Sequence, residues 1–356
     1  MLNTVQSLRS SVHRQQERDR AMRHDLMLAR GPCFHDSRSM TRAHAFKVLP
    51  AMLLLASCDD KPAPTTGNAA PATTAPASPA PAPVAAASPT PAPAAPTVEY
   101  RKIFWTDELL HSEIKHYNSA YEGGAQFSIE NGVPVAIDLH DQKVDNLRGF
   151  AGIPIMAIDL SGTNVGDLSP LKGLPIREIM LERTRVTDLT PLRGAPIEKI
   201  YLSSTPISKL DGLEGAPITD LNLVGTQVSD LSALANCPNL HMLWLTGCPV
   251  ENIAPLRTVP LVSLTLHRTK VKDLSPLSGT ALQRLHIGET PVSDLTPLKG
   301  LSLTRLVFTP ANIKAGLDVA RALPLQEIGT RFDDEGKDLQ PPEVFWSSQP
   351  AAPAAK

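Results

Sequence analysis

The sequence predicts an α/β solenoid: stacked short coils, each giving one strand to a single parallel sheet and returning through a tight 3-10 turn, with a cap helix over the first coil. Three observations predict it. Apolar residues recur at Ile158, Ile179, Ile200, Leu221, Leu243, Leu264, Leu285, Leu306 and Ile328, in steps of 21, 21, 21, 22, 21, 21, 21 and 22 residues. Around each of them apolar and polar residues alternate, which is the period of a strand with one buried face. After Ile158, Ile179, Leu243, Leu264 and Leu285 a proline and a leucine follow at a fixed offset, leaving room for a 3-10 turn but not for an α-helix.

The chain begins with segments that are not part of this stack. Residues 1–39 hold seven arginines, no lysine and no clear apolar face. They read either as sequence upstream of a true start at Met40 or as a long positive leader. From Met40 the chain reads MTRAHAFKVLPAMLLLASCDDKPAP, with Arg42 and Lys47 before a nine-residue apolar run, Val48 to Ala56. That run suits a signal peptide and is too short to span a bilayer. It ends in Leu55-Ala56-Ser57-Cys58, which resembles the lipobox of bacterial lipoproteins. The resemblance implies a signal over 40–57, cleavage before Cys58, and lipidation of Cys58 as a membrane anchor in the bacterial cell envelope, facing the periplasm or the surface. An ordinary secretory signal with an incidental cysteine is the other reading. Asp59 and Asp60 leave the choice of inner or outer membrane open.

Residues 58–97 form a linker. Of the 34 prolines, 11 lie between Pro62 and Pro96, and no charged residue occurs from Pro62 to Val98. Such a segment has no large side chains to bury and favours extended polyproline II, the composition of a tether. Nine basic and four acidic residues precede Cys58, leaving 25 basic and 32 acidic after it, a net charge of −7. That balance argues against nucleic acid and against an anionic lipid surface. Cys33, Cys58, Cys237 and Cys248 match no zinc or haem spacing, and Cys237 and Cys248 read as buried single thiols.

Residues 98–133 are expected to cap the stack. Thr106 to Asn118, TDELLHSEIKHYN, has a capping threonine, acids in its first turn, and Leu110, Ile114 and Tyr117 on one face. A variant coil, PVAIDLHDQKVDNLRGF, follows and opens the repeat region 134–346. Its central segments, from Pro175, Pro196, Pro217, Pro238 and Pro260, read PIREIMLERTRVTDLTPLRGA, PIEKIYLSSTPISKLDGLEGA, PITDLNLVGTQVSDLSALANC, PNLHMLWLTGCPVENIAPLRTV and PLVSLTLHRTKVKDLSPLSGT. The shared pattern LxLxxTxVxDLSPLxxL resembles the leucine-rich repeats of bacterial proteins in their short, internalin-like form. It is also similar to repeat regions attached to some bacterial serine/threonine kinases, where a final repeat like SLTRLVFTPANIKAGLDVARAL leads into a segment ending in Phe-Trp, here Phe345-Trp346. The resemblance implies a leucine-rich-repeat horseshoe with a parallel sheet on its concave face and 3-10 turns on its convex face. It implies binding rather than catalysis. Pro341, Pro342, Phe345 and Trp346 are expected to close the far end, and 347–356 reads as a disordered tail.

Within a coil the residue types assign the roles. Thr163, Thr184, Thr205, Thr226, Cys248, Thr269 and Thr290 stand where the family more often has asparagine, and the threonine hydroxyls are expected to bond the backbone of the adjacent turn. Val165, Val186, Ile207, Val228, Val250, Val271 and Val292 refill the core. Ser169-Pro170, Thr190-Pro191, Ser275-Pro276 and Thr296-Pro297 look like an N-cap followed by proline. Asp167, Asp188, Asp230, Asp273 and Asp294 recur at coil spacing, with Lys209 and Asn252 interrupting. They read as caps of backbone amides rather than a calcium column.

The chemistry of a catalyst is missing. There is no GxSxG, HExxH, P-loop, EF-hand or kinase motif, so the chain reads as no enzyme, with no cofactor and no metal. His13, His24, His35 and His44 precede the expected cleavage point. His140, His267 and His286 fall at outward strand positions expected to be exposed. His140 lies near Asp138, Asp141 and Asp159, which reads as a solvated acidic rim more readily than as a metal or acid/base cluster. The position between the two core residues of each strand runs Asp138, Asp159, Met180, Tyr201, Asn222, Trp244, Thr265, His286 and Val307. Met180, Tyr201 and Trp244 gather there although aromatics make up only 4% of the chain. Exposed aromatic and methionine side chains on a rigid sheet are anchors for a partner. Met180, Tyr201, Asn222, Trp244, Thr265 and His286 are therefore the expected binding strip. Another protein is the expected partner, an envelope glycan the alternative, and a purely structural envelope spacer remains open.

Overall fold

Alternation of aliphatic and polar residues, repeated once per coil, folds into one sheet of eleven strands in sequence order. The computed structural model describes residues 100–331 and 338–348. Residues 1–39, the signal over 40–57, Cys58, the whole of the 58–97 linker and the end of the tail lie outside the described residues.

The N-terminal helix α1 (Asp107–Tyr117) is capped by Thr106, whose Oγ1 accepts the amide of Leu109 at 3.3 Å. Leu110 and Ile114 are buried, whereas Tyr117 is exposed; Tyr121, beyond the helix, fills the core instead. A hairpin that the repeat pattern does not contain comes next. Strand β1 (Gln126–Glu130) pairs antiparallel with β2 (Val133–Asp138). The turn is Asn131-Gly132 with φ of 50° and 76°, the two-residue combination that matches strand twist.

From β2 onward every pairing is parallel: β3 (Ala157–Asp159), β4 (Glu178–Met180), β5 (Lys199–Tyr201), β6 (Asp220–Asn222), β7 (Met242–Trp244), β8 (Ser263–Thr265), β9 (Arg284–His286), β10 (Arg305–Val307) and β11 (Glu327–Gly329). The register aligns Ile137, Ile158, Ile179, Ile200, Leu221, Leu243, Leu264, Leu285, Leu306 and Ile328 in one row. All are buried, as are Leu160, Leu181, Leu202, Leu223, Leu245 and Leu266 two residues on and the valine column after the threonines.

The threonine ladder forms, with a different acceptor from the expected one. Thr163, Thr184, Thr205, Thr226, Thr269 and Thr290 each donate to the carbonyl three residues earlier in the same coil, at 2.6–2.8 Å. None of these six bonds leaves its own coil. Cys248 does cross: its Sγ lies 2.9 Å from the carbonyl of Leu223, one coil back. Cys237 and Cys248 are both buried and free.

The return legs are 3-10 turns, among them Ser169–Leu171, Thr190–Leu192, Ser232–Leu234, Ser275–Leu277 and Thr296–Leu298. The serines and threonines do not act as N-caps. The preceding leucine holds the cap position without a side-chain bond. The aspartate before it accepts the backbone amide of the first turn residue at 2.7–2.9 Å, from Asp167 to Asp294, and Asn252 does the same for Ala254. Hydrogen bonds from the Ser169 and Ser232 hydroxyls, and then these amide bonds, hold Asp167 and Asp230 below the ordinary carboxylate range; for Asp188 and Asp273 the amide bonds lead and the Thr190 and Ser275 hydroxyls follow. Where Lys209 replaces the aspartate the 3-10 turn is lost. Gly212 turns the chain at φ 104°, in a space where a Cβ would lie 2.5 Å from the Leu189 carbonyl oxygen.

At the C-terminal end α2 (Leu317–Ala322) replaces a 3-10 turn, and α3 (Pro342–Ser348) closes the core. Phe345 is buried with its ring 5.9 Å from that of Phe308 and 5.0 Å from that of Trp346.

Candidate functional site

The outward face of the sheet is where the coils differ. Parallel register stacks Asp138, Asp159, Met180, Tyr201, Asn222, Trp244, Thr265, His286 and Val307 in one row. The expected binding strip is therefore brought together, with Asn222 between Tyr201 and Trp244 and His286 one strand beyond Thr265.

These positions are more enclosed than expected. Tyr201, Asn222, Trp244 and His286 are half-buried, but Met180 is 5% exposed, Thr265 3% and Val307 1%. Strands about 4.8 Å apart leave a short side chain beside a large one with little open surface. Thr265 lies between Trp244 and His286, and Met180 between Asp159 and Tyr201. Asn222 is committed in part to the fold, since its Oδ1 accepts from Ser203 Oγ at 2.9 Å and from the amide of Val224 at 3.0 Å.

The histidines also depart from expectation. His267 is buried rather than exposed. The next strand offers Gly288 beside it, where a Cβ would come within 3.0 Å of the ring, so the imidazole lies across a position without a side chain. Burial, and Arg268 in addition, lowers its pKa, while Glu289 acts the other way. Burial pushes His286 down to about 4, with Arg305, His267 and Arg284 adding to the effect. Both rings are neutral at pH 7.

Near the start of the sheet Asp138, His140 and Asp159 bring ligand-capable atoms within 4.8 Å of one another. His140 Nδ1 is 2.6 Å from Asp138 Oδ1, which also accepts the His140 amide, and Asp159 Oδ1 accepts the amide of Ser161 at 2.9 Å. These carboxylates shape their own turns. Asp141 stands apart, 3.3 Å from Arg183, and Asp159 is buried rather than solvated.

Sequence reasoning passed over one backbone feature of every coil. The residue before each ladder position adopts positive φ: Asp141, Gly162, Arg183, Ser204, Gly225, Gly247, Arg268 and Glu289, between 53° and 71° except Gly247 at 74°. The three glycines in that column were its signal.

The geometry defines a class: a leucine-rich-repeat solenoid with short coils and 3-10 return legs. Residues 218–258 match the family model for leucine-rich repeats in two copies. Among solved structures the chain is similar to an internalin (InlF) from Listeria monocytogenes, at 22% identity and a TM-score of 0.51, covering 66% of this chain and 73% of that one. An internalin C2 from the same bacterium has 24% identity and a TM-score of 0.49, over 58% of this chain and 95% of that one. No curated protein matches the sequence. The chain thus carries an internalin-like leucine-rich-repeat fold, an architecture commonly used as a protein-binding scaffold. No helix among the described residues is long and apolar enough to cross a membrane.

Proposed function

We propose that this protein is a lipid-anchored scaffold of the bacterial cell envelope that binds another protein on the outward face of its sheet. One observation carries the reading: Tyr201 and Trp244 share a row two ladder steps apart, on strands whose backbone is held on both sides. Side chains fixed in this way lose little entropy on binding, and rings of that size are the residues on which interfaces concentrate their energy. Asn222 lies between them, Met180 extends the strip on one side, and Thr265 and His286 extend it on the other. The anchor rests on the Leu55-Ala56-Ser57-Cys58 sequence and on the proline-rich composition of the segment that follows it.

The test is Trp244→Ala in cells carrying a photo-crosslinker at Tyr201. Crosslinked protein should be lost, with affinity weakened by about 2 kcal/mol or more and melting changed by no more than about 1 kcal/mol. Crosslinks unaffected by the change, or adducts that survive protease and yield to glycosidase, defeat the protein-binding reading. The anchor is tested separately: Cys58→Ala should move the mature protein from the membrane pellet to the soluble fraction, and unchanged fractionation refutes it.

A further inference from the structure

The outward face is divided by charge. Along β2 to β6 the outward positions hold Asp138, Asp159, Glu178, Glu182 and Asp220, and the sole lysine or arginine among them is Lys199. Along β7 to β11 they hold Arg284, Arg305 and Arg331 with His267 and His286, and the sole carboxylate is Glu327, paired with Arg305. Asp159, Glu178, Glu182 and Asp220 are all buried. Oε1 of Glu178 is enclosed with no hydrogen-bond partner among the described residues. Burial holds the Glu178 carboxyl above its ordinary range, and Asp220, Asp159 and Glu198 push it the same way against Lys199.

A buried carboxylate with one oxygen left without a donor, and crowded by others, is unfavourable. The coil does not require it, since the equivalent positions on β7 and β8 are Met242 and Ser263 in the same backbone register. Unfavourable charge kept where the fold is indifferent to it marks a binding site. The missing component is a cation bearing several donors, and a guanidinium or ammonium group supplies it. The arginines of β9 to β11 repel the same ligand, which fixes its direction along the sheet.

We propose that the outward face of β2 to β6 seats a basic segment of the partner polypeptide, with an arginine or lysine over Asp159 and Glu178 and an apolar or aromatic residue of the same segment on Tyr201 and Trp244. This rests on the reading of the sheet face as the binding surface and names the chemistry of its partner.

The probe is a random twelve-residue peptide library on phage, panned against the full chain, with enriched peptides then synthesised. Enrichment of arginine or lysine a few residues from Phe, Tyr, Trp or Leu is expected. Binding should fall by about tenfold or more in the double variant Asp159→Asn/Glu178→Gln, and should weaken as salt is raised. The amides keep the shape and remove repulsion, so the double variant should melt no lower than the wild type; lost binding with retained stability separates recognition from folding. Enriched peptides without basic residues, salt-independent binding, or equal binding by the double variant overturns the basic-segment inference. The sheet-face reading survives that outcome if Trp244→Ala still abolishes binding. Peptides indifferent to both variants overturn both. Manganese or zinc retained by the wild type and lost on His140→Ala or Asp159→Asn makes the acids metal ligands, and also overturns the inference.

Discussion

The inward row of the sheet runs from Ile137 to Ile328 through isoleucine and leucine alone, while the outward row one residue away changes at almost every strand, from Asp138 through Tyr201 and Trp244 to His286. One backbone ladder carries both. The inward row is constrained by volume, because each coil shares its core with the next and a misfit is felt by neighbours. The outward row packs only against its neighbours on the same face, so its residue types are freer to vary. Its charges segregate and its aromatics cluster while the register beneath stays constant.

The largest way to break this contrast is at the inward row. Leu221 is fully buried in β6, and Leu221→Ala should lower stability by about 2–5 kcal/mol in a denaturant melt. A loss below about 1 kcal/mol there would mean that the coils do not share one core.

The outward row should respond to acid where the inward row cannot. The His286 pKa is depressed to about 4 in the folded state. An unfolded histidine takes up a proton near pH 6.5. Stability from this group is therefore intact above pH 6.5 and is lost as pH falls toward 4, on the order of 2–3 kcal/mol in all. His286→Gln should flatten that part of the stability–pH curve. Identical curves for variant and wild type between pH 7 and 4 would show the ring to be solvated.

Two smaller changes sharpen the comparison at the edge between the rows. Thr226→Ala removes a 2.8 Å bond to the Leu223 carbonyl, but Cys248 Sγ still reaches that oxygen. The loss should be roughly 1 kcal/mol, well short of the Leu221 effect. Equal losses at the two sites would contradict the inward and ladder roles. Ser204 sits at φ 58°, so Ser204→Gly should raise stability by up to about 0.5 kcal/mol, relief of strain being partly offset by a more flexible unfolded chain. A decrease on calorimetry would mean that the serine side chain supports the turn.

The parts legible in the sequence were those repeated often enough to average out local exceptions. Ile158 to Ile328 could be aligned because eight steps agree within one residue, and the aspartate column because its members begin the same turn. The single events were harder. Asn131-Gly132 is a strong hairpin signal, but it lies outside the repeat, and β1 was absorbed into an undivided cap. Tyr117 has helical spacing with Leu110 and Ile114, yet the core beside α1 is filled from Tyr121. Of the candidate site, the row and its order were readable from register alone. Its enclosure was not, because the exposure of Met180, Thr265 or His267 depends on which side chain the next coil happens to place alongside, and Gly288 beside His267 shows how far one neighbour can change it.

The hairpin and the closing helix also decide how long the array is. A repeat that stacks on a copy of itself has no inherent reason to stop, and two such domains with bare ends present matching strand edges to each other. Here the first edge belongs to β1, an antiparallel strand with a register shift at Ser128/Ile129 that a parallel coil cannot continue. At the other end Gln340 bridges back antiparallel onto Ile328, and Phe345 seals the apolar cross-section beneath it. Both terminators reverse the strand direction. A further parallel coil therefore has no matching edge to extend at either end, and the length of the array is set by its two terminators.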